Sequence, residues 1–232
     1  MSTFLELCNK VHERTGESGA DLTTVVGQTG YNKRLVNYVK DAWKDIQSKH
    51  PTWRFMRKAA LPTIAITNSS VDADAWVVAN LSTSIDFIHK KTFSIYDTAL
   101  GTSDETKLIY VEWEDWKNRF GLSYDDGAQN RPVHITLDPD TSNLVFGPTS
   151  DGSYTIAFEF QANPVEWSAD ADTLAGVASS MHEIVKWRAL MYYALAEEDT
   201  SAYNEAKSEF RKYMRKLELR YLPTVDIAGP LV

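Results

Sequence analysis

The sequence predicts an α+β protein in which helices from both ends of the chain form one bundle and a mostly antiparallel β domain is inserted between them. Two changes of period and one asymmetry lead to this reading. Apolar residues recur at helical spacing up to residue 56, alternate from Arg57, and return to helical spacing after Asp172. The early helices carry single apolar stripes, whereas the run from Met181 to Leu195 is apolar around most of its circumference and needs neighbours on several sides. Packing residues 1–56 against residues 166–221 satisfies both, leaving residues 57–165 as the inserted domain and residues 222–232 as an extended tail.

Each element has a local cause. Thr3, with Glu6 three residues on, is a capping box, and Phe4, Leu7, Cys8 and Val11 form a stripe that Gly16 ends. Residues 16–29, rich in Gly, Ser and Thr, read as a loop. Leu35, Val36, Val39, Ala42, Trp43 and Ile46 mark a second helix, closed by His50-Pro51 because the residue before proline is pushed out of the helical region. In the centre, residues 61–66, 76–80, 87–95, 107–113, 133–137, 144–146 and 154–161 read as short strands rich in β-branched and aromatic residues. Residues 114–120 fit one or two helical turns. In the last strand Tyr154, Ile156, Phe158 and Phe160 share one face. A third helix holds Met181, Ile184, Val185, Trp187, Met191, Ala194 and Leu195. A fourth starts at Ser201 with Tyr203, Ala206, Phe210, Tyr213, Met214, Leu217 and Tyr221 inward and Pro223 as its stop.

Charge is unevenly spread along the 232 residues. The chain has 24 basic and 32 acidic side chains, a net −8, which disfavours a protein that grips nucleic acid through phosphate neutralisation. Residues 1–56 carry +2, residues 57–165 carry −7 and residues 166–232 carry −3, so nearly all the excess lies in the middle. One cysteine, Cys8, cannot close an internal disulfide. With no long apolar run and no basic-then-apolar leader, synthesis in a reducing cytoplasm and no membrane partner are expected.

The motifs of catalysis and metal binding are incomplete. His182-Glu183 opens like a zinc-protease helix, but Lys186 stands where the second histidine should be. Gly27-Gln28-Thr29-Gly30 lacks the Gly-Lys-Ser/Thr ending of a phosphate loop. Asp138, Asp140 and Ser142 begin like a calcium loop, yet Asn143 and Thr149 replace its glycine and its final acid, so a hairpin turn is expected. Glu112 with Glu114 and Asp170 with Asp172 are carboxylate pairs of the kind a glycosidase uses, and nothing in the sequence selects one of them. No cofactor is expected.

The fourth helix carries Lys207, Arg211 and Arg215 at four-residue spacing beside Lys212, Lys216 and Arg220, with Glu197, Glu198 and Asp199 ahead of it. Acid first and base last suits the helix dipole on a solvated face. The same strip would also suit contact with an acidic surface, for which the −7 middle of a neighbouring copy is available.

Several stretches in order resemble the head-to-tail adaptor (connector) proteins of tailed bacteriophages. They are Thr3-Phe4-Leu5-Glu6-Leu7-Cys8, Thr24-Val25-Val26-Gly27-Gln28-Thr29-Gly30, Arg34-Leu35-Val36-Asn37-Tyr38-Val39 and Trp53-Arg54-Phe55-Met56. The β region adds Leu137-Asp138-Pro139 and Leu144-Val145-Phe146-Gly147-Pro148. The helical region adds Ser168-Ala169-Asp170-Ala171-Asp172-Thr173, His182-Glu183-Ile184-Val185 and Tyr221-Leu222-Pro223. Leu174 and Val177 depart from the pattern, which would have prolines there.

The resemblance implies a structural virion protein without enzymatic activity. About twelve copies would form a ring at the neck that joins the portal protein to a tail or nozzle protein and lets genomic DNA pass without sequence-specific binding. It implies portal docking by the tail, through Leu222, Pro223, Val225, Ile227, Pro230 and Leu231, while the subunit-interface reading of the basic strip rests on its charge. An acidic or neutral channel would let the duplex slide where a basic one would hold it. The alternatives are a peptidoglycan-cleaving glycosidase of the phage neck and a cytoplasmic protein-binding module.

Overall fold

A computed structural model describes residues 2–16, 20–65, 69–120 and 129–223. The helices are α1 (Phe4–Thr15), α2 (Gly30–Ser48), α3 (Ala73–Leu81), α4 (Trp113–Phe120), α5 (Glu183–Ala196) and α6 (Thr200–Tyr221). The strands are β1 (Arg57–Ala60), β2 (Thr63–Ile64), β3 (Ser70–Val71), β4 (Ile85–Ile88), β5 (Ser94–Asp97), β6 (Thr106–Lys107), β7 (Ile109–Tyr110), β8 (His134–Leu137), β9 (Leu144–Gly147) and β10 (Tyr154–Ala162). The described residues divide into two compact units, one from Met1–Met56 with Pro164–Val232 and one from Arg57–Asn163. The fold is α+β, with amino- and carboxy-terminal helices packed together as their patterning predicts.

In the helical unit α5 is central, packing against α1, α2 and α6. Ile184, Val185, Ala189, Leu190, Met191 and Ala194 are all buried on it, so the helix apolar on most sides has the neighbours it needs. The capping box forms in full. Thr3 Oγ1 accepts the Glu6 N–H and Glu6 Oε2 accepts the Thr3 N–H, each at 3.2 Å. The first-turn N–H groups of Phe4 and Leu5, which no helix can satisfy internally, donate to the carbonyls of Asp172 and Asp170 at 2.7 and 3.3 Å.

Rings tie the ends of the chain together. Phe4 meets Trp167 at 5.2 Å between centroids, Trp167 stacks on Trp43 at 5.5 Å, and Trp43 on Phe55 at 5.9 Å. Phe55 in turn stacks on Trp53 at 5.3 Å and meets Tyr221 edge-on at 5.5 Å. Gly176, at φ +76°, passes so close to Phe55 that an added Cβ would lie 3.1 Å from the Phe55 Cβ. The two positions where the family pattern would have prolines are filled by buried Leu174 and Val177, which add to this core.

In the other unit β10 is the shared strand. Its second half pairs with β1 and β4 and its first half with β2 and β5, and β5 pairs with β6, all antiparallel. A second sheet runs β3-β9-β8-β7, with one parallel pair, β7 with β8. Ile156, Phe158 and Phe160 of β10 share one core with Ile135, Leu144 and Phe146.

Four readings of the central region are corrected. Residues 76–80 lie in a helix, because Asp72 caps α3 by accepting the Ala75 N–H at 2.8 Å and the segment is rich in alanine. Of the described part of the run 61–66 only β2 is a strand, and β1, which like β2 pairs with β10, starts earlier at Arg57. The run 87–95 breaks at a turn in which the His89 carbonyl accepts both the N–H and the hydroxyl of Thr92. The run 107–113 divides among β6, β7 and the start of α4.

Two predictions test this packing. Trp167→Ala removes the ring between Phe4 and Trp43 and should destabilise the helical unit by about 3–5 kcal/mol, read as an earlier urea transition of helical circular dichroism. The second concerns Glu183. Burial pushes its carboxyl up, but the ammonium groups of Lys10, at 2.6 Å, and Lys186 outweigh burial and hold it below the ordinary carboxylate value. Its contribution is therefore present above the ordinary carboxylate range and lost as pH falls through the lowered folded value. Glu183→Gln should flatten the acid limb of a melting-temperature profile taken from about pH 7 to about pH 3.

Candidate functional site

None of the incomplete motifs is assembled into a reactive site. His182 is fully buried, its Nε2 donating to the Val177 carbonyl at 3.1 Å and its Nδ1 accepting the Ser2 N–H at 3.1 Å. Both ring nitrogens are used in holding the chain entry to α5. Asp138 organises a hairpin turn, its carboxylate accepting the Asp140 N–H and the Thr141 hydroxyl. The backbone hydrogen bonds there shape the turn, which hardens its carboxylate below the ordinary range. Among the described residues no group of three metal-ligating side chains comes together.

The carboxylate pairs hold structure. Glu112 receives Lys90 Nζ at 2.7 Å, while Asp170 accepts the Val25 N–H at 2.6 Å and the Thr24 hydroxyl at 3.1 Å. Asp172 accepts the N–H groups of Ser168 and Ala169. Cys8 is buried in the helical core, and that burial pushes its thiol up to about 12.

The concave surfaces of the helical unit are more informative. A groove of about 620 Å³ runs between α5 and α6 beside the end of α2. Its described lining includes five cations, Lys49, Arg188, Lys207, Arg211 and Arg215, against one carboxylate, Glu218. Glu218 is engaged by His50 Nε2 at 3.0 Å, and Arg188 is engaged by Asp45, its Nε 2.8 Å from Oδ2. Lys49, Arg211 and Arg215 are exposed and have no ion pair among the described residues. Met191, Phe210 and Met214 give the groove an apolar floor.

The six cations of the predicted strip therefore separate. Lys207, Arg211 and Arg215 succeed one another along α6 at about 6 Å per step and line the groove. Lys212, Lys216 and Arg220 do not line it. Lys212 pairs with Glu209 at 3.2 Å, and Lys216 and Arg220 lie over Tyr213 and Tyr221. Sequence reasoning missed Lys49 and Arg188. A signal existed for Arg188, an arginine set in a helix otherwise apolar on most sides.

A smaller hollow of about 380 Å³ lies on the opposite flank of α6, lined by Glu13, Arg14, Trp187, Asp199 and Glu205 among others. Arg14 pairs with Glu205 at 2.5 Å. Where α5 passes into α6, Leu195 in the last turn of α5 is 68% accessible and is followed by exposed Glu197 and Glu198. Asp199 has a local task, its Oδ1 capping α6 by accepting the N–H groups of Ser201 and Ala202 at 2.9 Å.

Of the predicted tail contacts, Leu222 closes α6 with its N–H on the Glu218 carbonyl at 3.0 Å and packs on the helical core, and Pro223 is exposed. Val225, Ile227, Pro230 and Leu231 lie outside the described residues. Among the described residues no helix is long and apolar enough to cross a membrane.

A comparison with curated proteins finds no match. Against protein families, residues 2–229 match the family described as SU10 adaptor protein, nearly the whole chain and both of its units. The terminal helices packed as one unit, the β unit encoded between them in the sequence and the match over residues 2–229 together show that the chain belongs to the SU10 adaptor protein family of phage head-to-tail adaptors.

Proposed function

We propose that this chain is the structural joint of a phage neck, about twelve copies forming a ring that joins the portal protein to a tail or nozzle protein and leaves a channel for the genome. The observation that carries the reading is the family match over residues 2–229. An adaptor must bind other virion proteins, and the features found here are those of binding: a charged groove and an exposed acidic turn. The basic strip acts between subunits through its groove-lining members. The tail docks on the portal through Pro223 and the apolar residues after it, while Leu222 stays with α6, where it already packs. The net −8 keeps the ring from gripping the duplex that passes through it.

Removing residues 223–232 tests the docking role. The truncated chain should keep the helical circular dichroism and melting temperature of the full chain and lose co-sedimentation with purified portal. Undiminished co-sedimentation would remove the tail from the portal contact. Imaging of virion necks tests the larger reading, which does not survive if the chain is missing from them.

A further inference from the structure

The groove between α5 and α6 and the turn that joins these helices are complementary surfaces on one unit. The groove offers Lys49, Arg211 and Arg215, which have no ion pair among the described residues, above an apolar floor of Met191, Phe210 and Met214. The turn and the last residues of α5 that lead into it offer an exposed large apolar side chain, Leu195, and two exposed carboxylates, Glu197 and Glu198, that accept no hydrogen bond among the described residues. The turn has a fixed shape. Glu198, at a left-handed φ of 56°, donates its N–H to the Leu195 carbonyl at 3.4 Å, and the Asp199 N–H donates to the Ala194 carbonyl at 2.9 Å, the pair of hydrogen bonds that closes a helix through a left-handed residue. Leu195, Glu197 and Glu198 are thus presented on a defined backbone, which lowers the ordering cost of docking them on another surface.

We propose that the α5–α6 turn of one copy docks in the α5–α6 groove of the next, Leu195 on the apolar floor and Glu197 and Glu198 against Arg211, Arg215 and Lys49. Deepening the ring reading, this rests on it and names the contact between subunits. A second copy is favoured over nucleic acid because a phosphate backbone has no apolar group for Met191, Phe210 and Met214. Within one copy the turn joins the two helices that form the groove and cannot reach back into it. The contact is heterologous, one surface meeting a different one, which is the geometry that closes into rings.

Cross-linking of the full chain carrying both Leu195→Cys and Arg211→Cys tests the contact. In purified rings and in assembled particles, oxidation should give a ladder beyond the dimer, because each link joins position 195 of one copy to 211 of the next. Either single variant can give at most a dimer, and Cys8 is buried. Charge reversal gives a second reading. Arg211→Glu with Arg215→Glu, or Glu197→Lys with Glu198→Lys, should weaken assembly by at least about ten-fold, and all four changes in one chain should recover most of the loss.

Copies present in the neck but monomeric after oxidation, with no recovery in the four-change chain, overturn the contact and leave the ring reading intact. Absence of the natural chain from the neck overturns the ring reading itself. A link from Arg211→Cys to a cysteine placed at Ile227, with none to position 195, gives the groove to the tail and overturns the proposal. Salt-sensitive binding of duplex DNA that the Arg211 and Arg215 reversals abolish, without a ladder, gives it to nucleic acid and does the same.

Discussion

The helical unit depends on the segment that follows β10 returning to seal the amino-terminal helices. α1 and α2 have single buried faces, and neither can complete a core with the other alone. Trp167 enters between Phe4 and Trp43, and Asp170 and Asp172 supply the carbonyls that the first turn of α1 needs. Gln47, buried on α2, makes a reciprocal pair with the backbone of Val165, its Nε2 donating to the carbonyl and its Oε1 accepting the N–H, each at 3.0 Å. These contacts span more than a hundred residues of sequence. Their loop-closure cost is recovered only once α5 is also in place, so the helices of this unit are expected to order together.

How much of this could be read from residues alone follows from the range of each signal. α1, α2, α5 and α6 were legible because capping, period and stops are local: Thr3 with Glu6, the stripe from Leu35 to Ile46, Pro223 after Tyr221. The error at residues 76–80 came from weighing Trp76, Val77 and Val78 as β formers while passing over the cap at Asp72, a local signal of equal strength. The breaks within residues 87–95 and 107–113 were not legible, because two adjacent β-rich segments look continuous until their partners fix the register. Asp170 was visible only as half of an acidic pair. Its task of holding the Val25 N–H needs a residue 145 positions away.

The basic strip shows the same limit from another side. Four-residue spacing put Lys207, Arg211 and Arg215 on one row, and that part is helix geometry. Spacing on one helix does not say what stands beside it. α5 and the end of α2 bring Arg188 and Lys49 to that row, whereas Lys212, one residue past Arg211 and so about 100° around the helix, pairs with Glu209. A strip of six in the sequence is three cations in the groove, joined by two the sequence did not associate with them.

Net charge also distinguishes the two units. Residues 1–56 and 164–232 together hold 16 basic and 17 acidic side chains, a near balance, whereas residues 57–163 hold 8 and 15. A unit near zero net charge meets little long-range repulsion from its copies, and its cations and carboxylates, set apart on the groove and on the turn, orient the approach instead. Copies of the acidic unit repel one another and repel a phosphate backbone. Charge alone therefore makes contact between copies less costly through the helical unit than through the acidic one. The ring proposed for this chain draws on that difference, with contact between copies assigned to the helical unit and the acidic surface left to a passing polyanion.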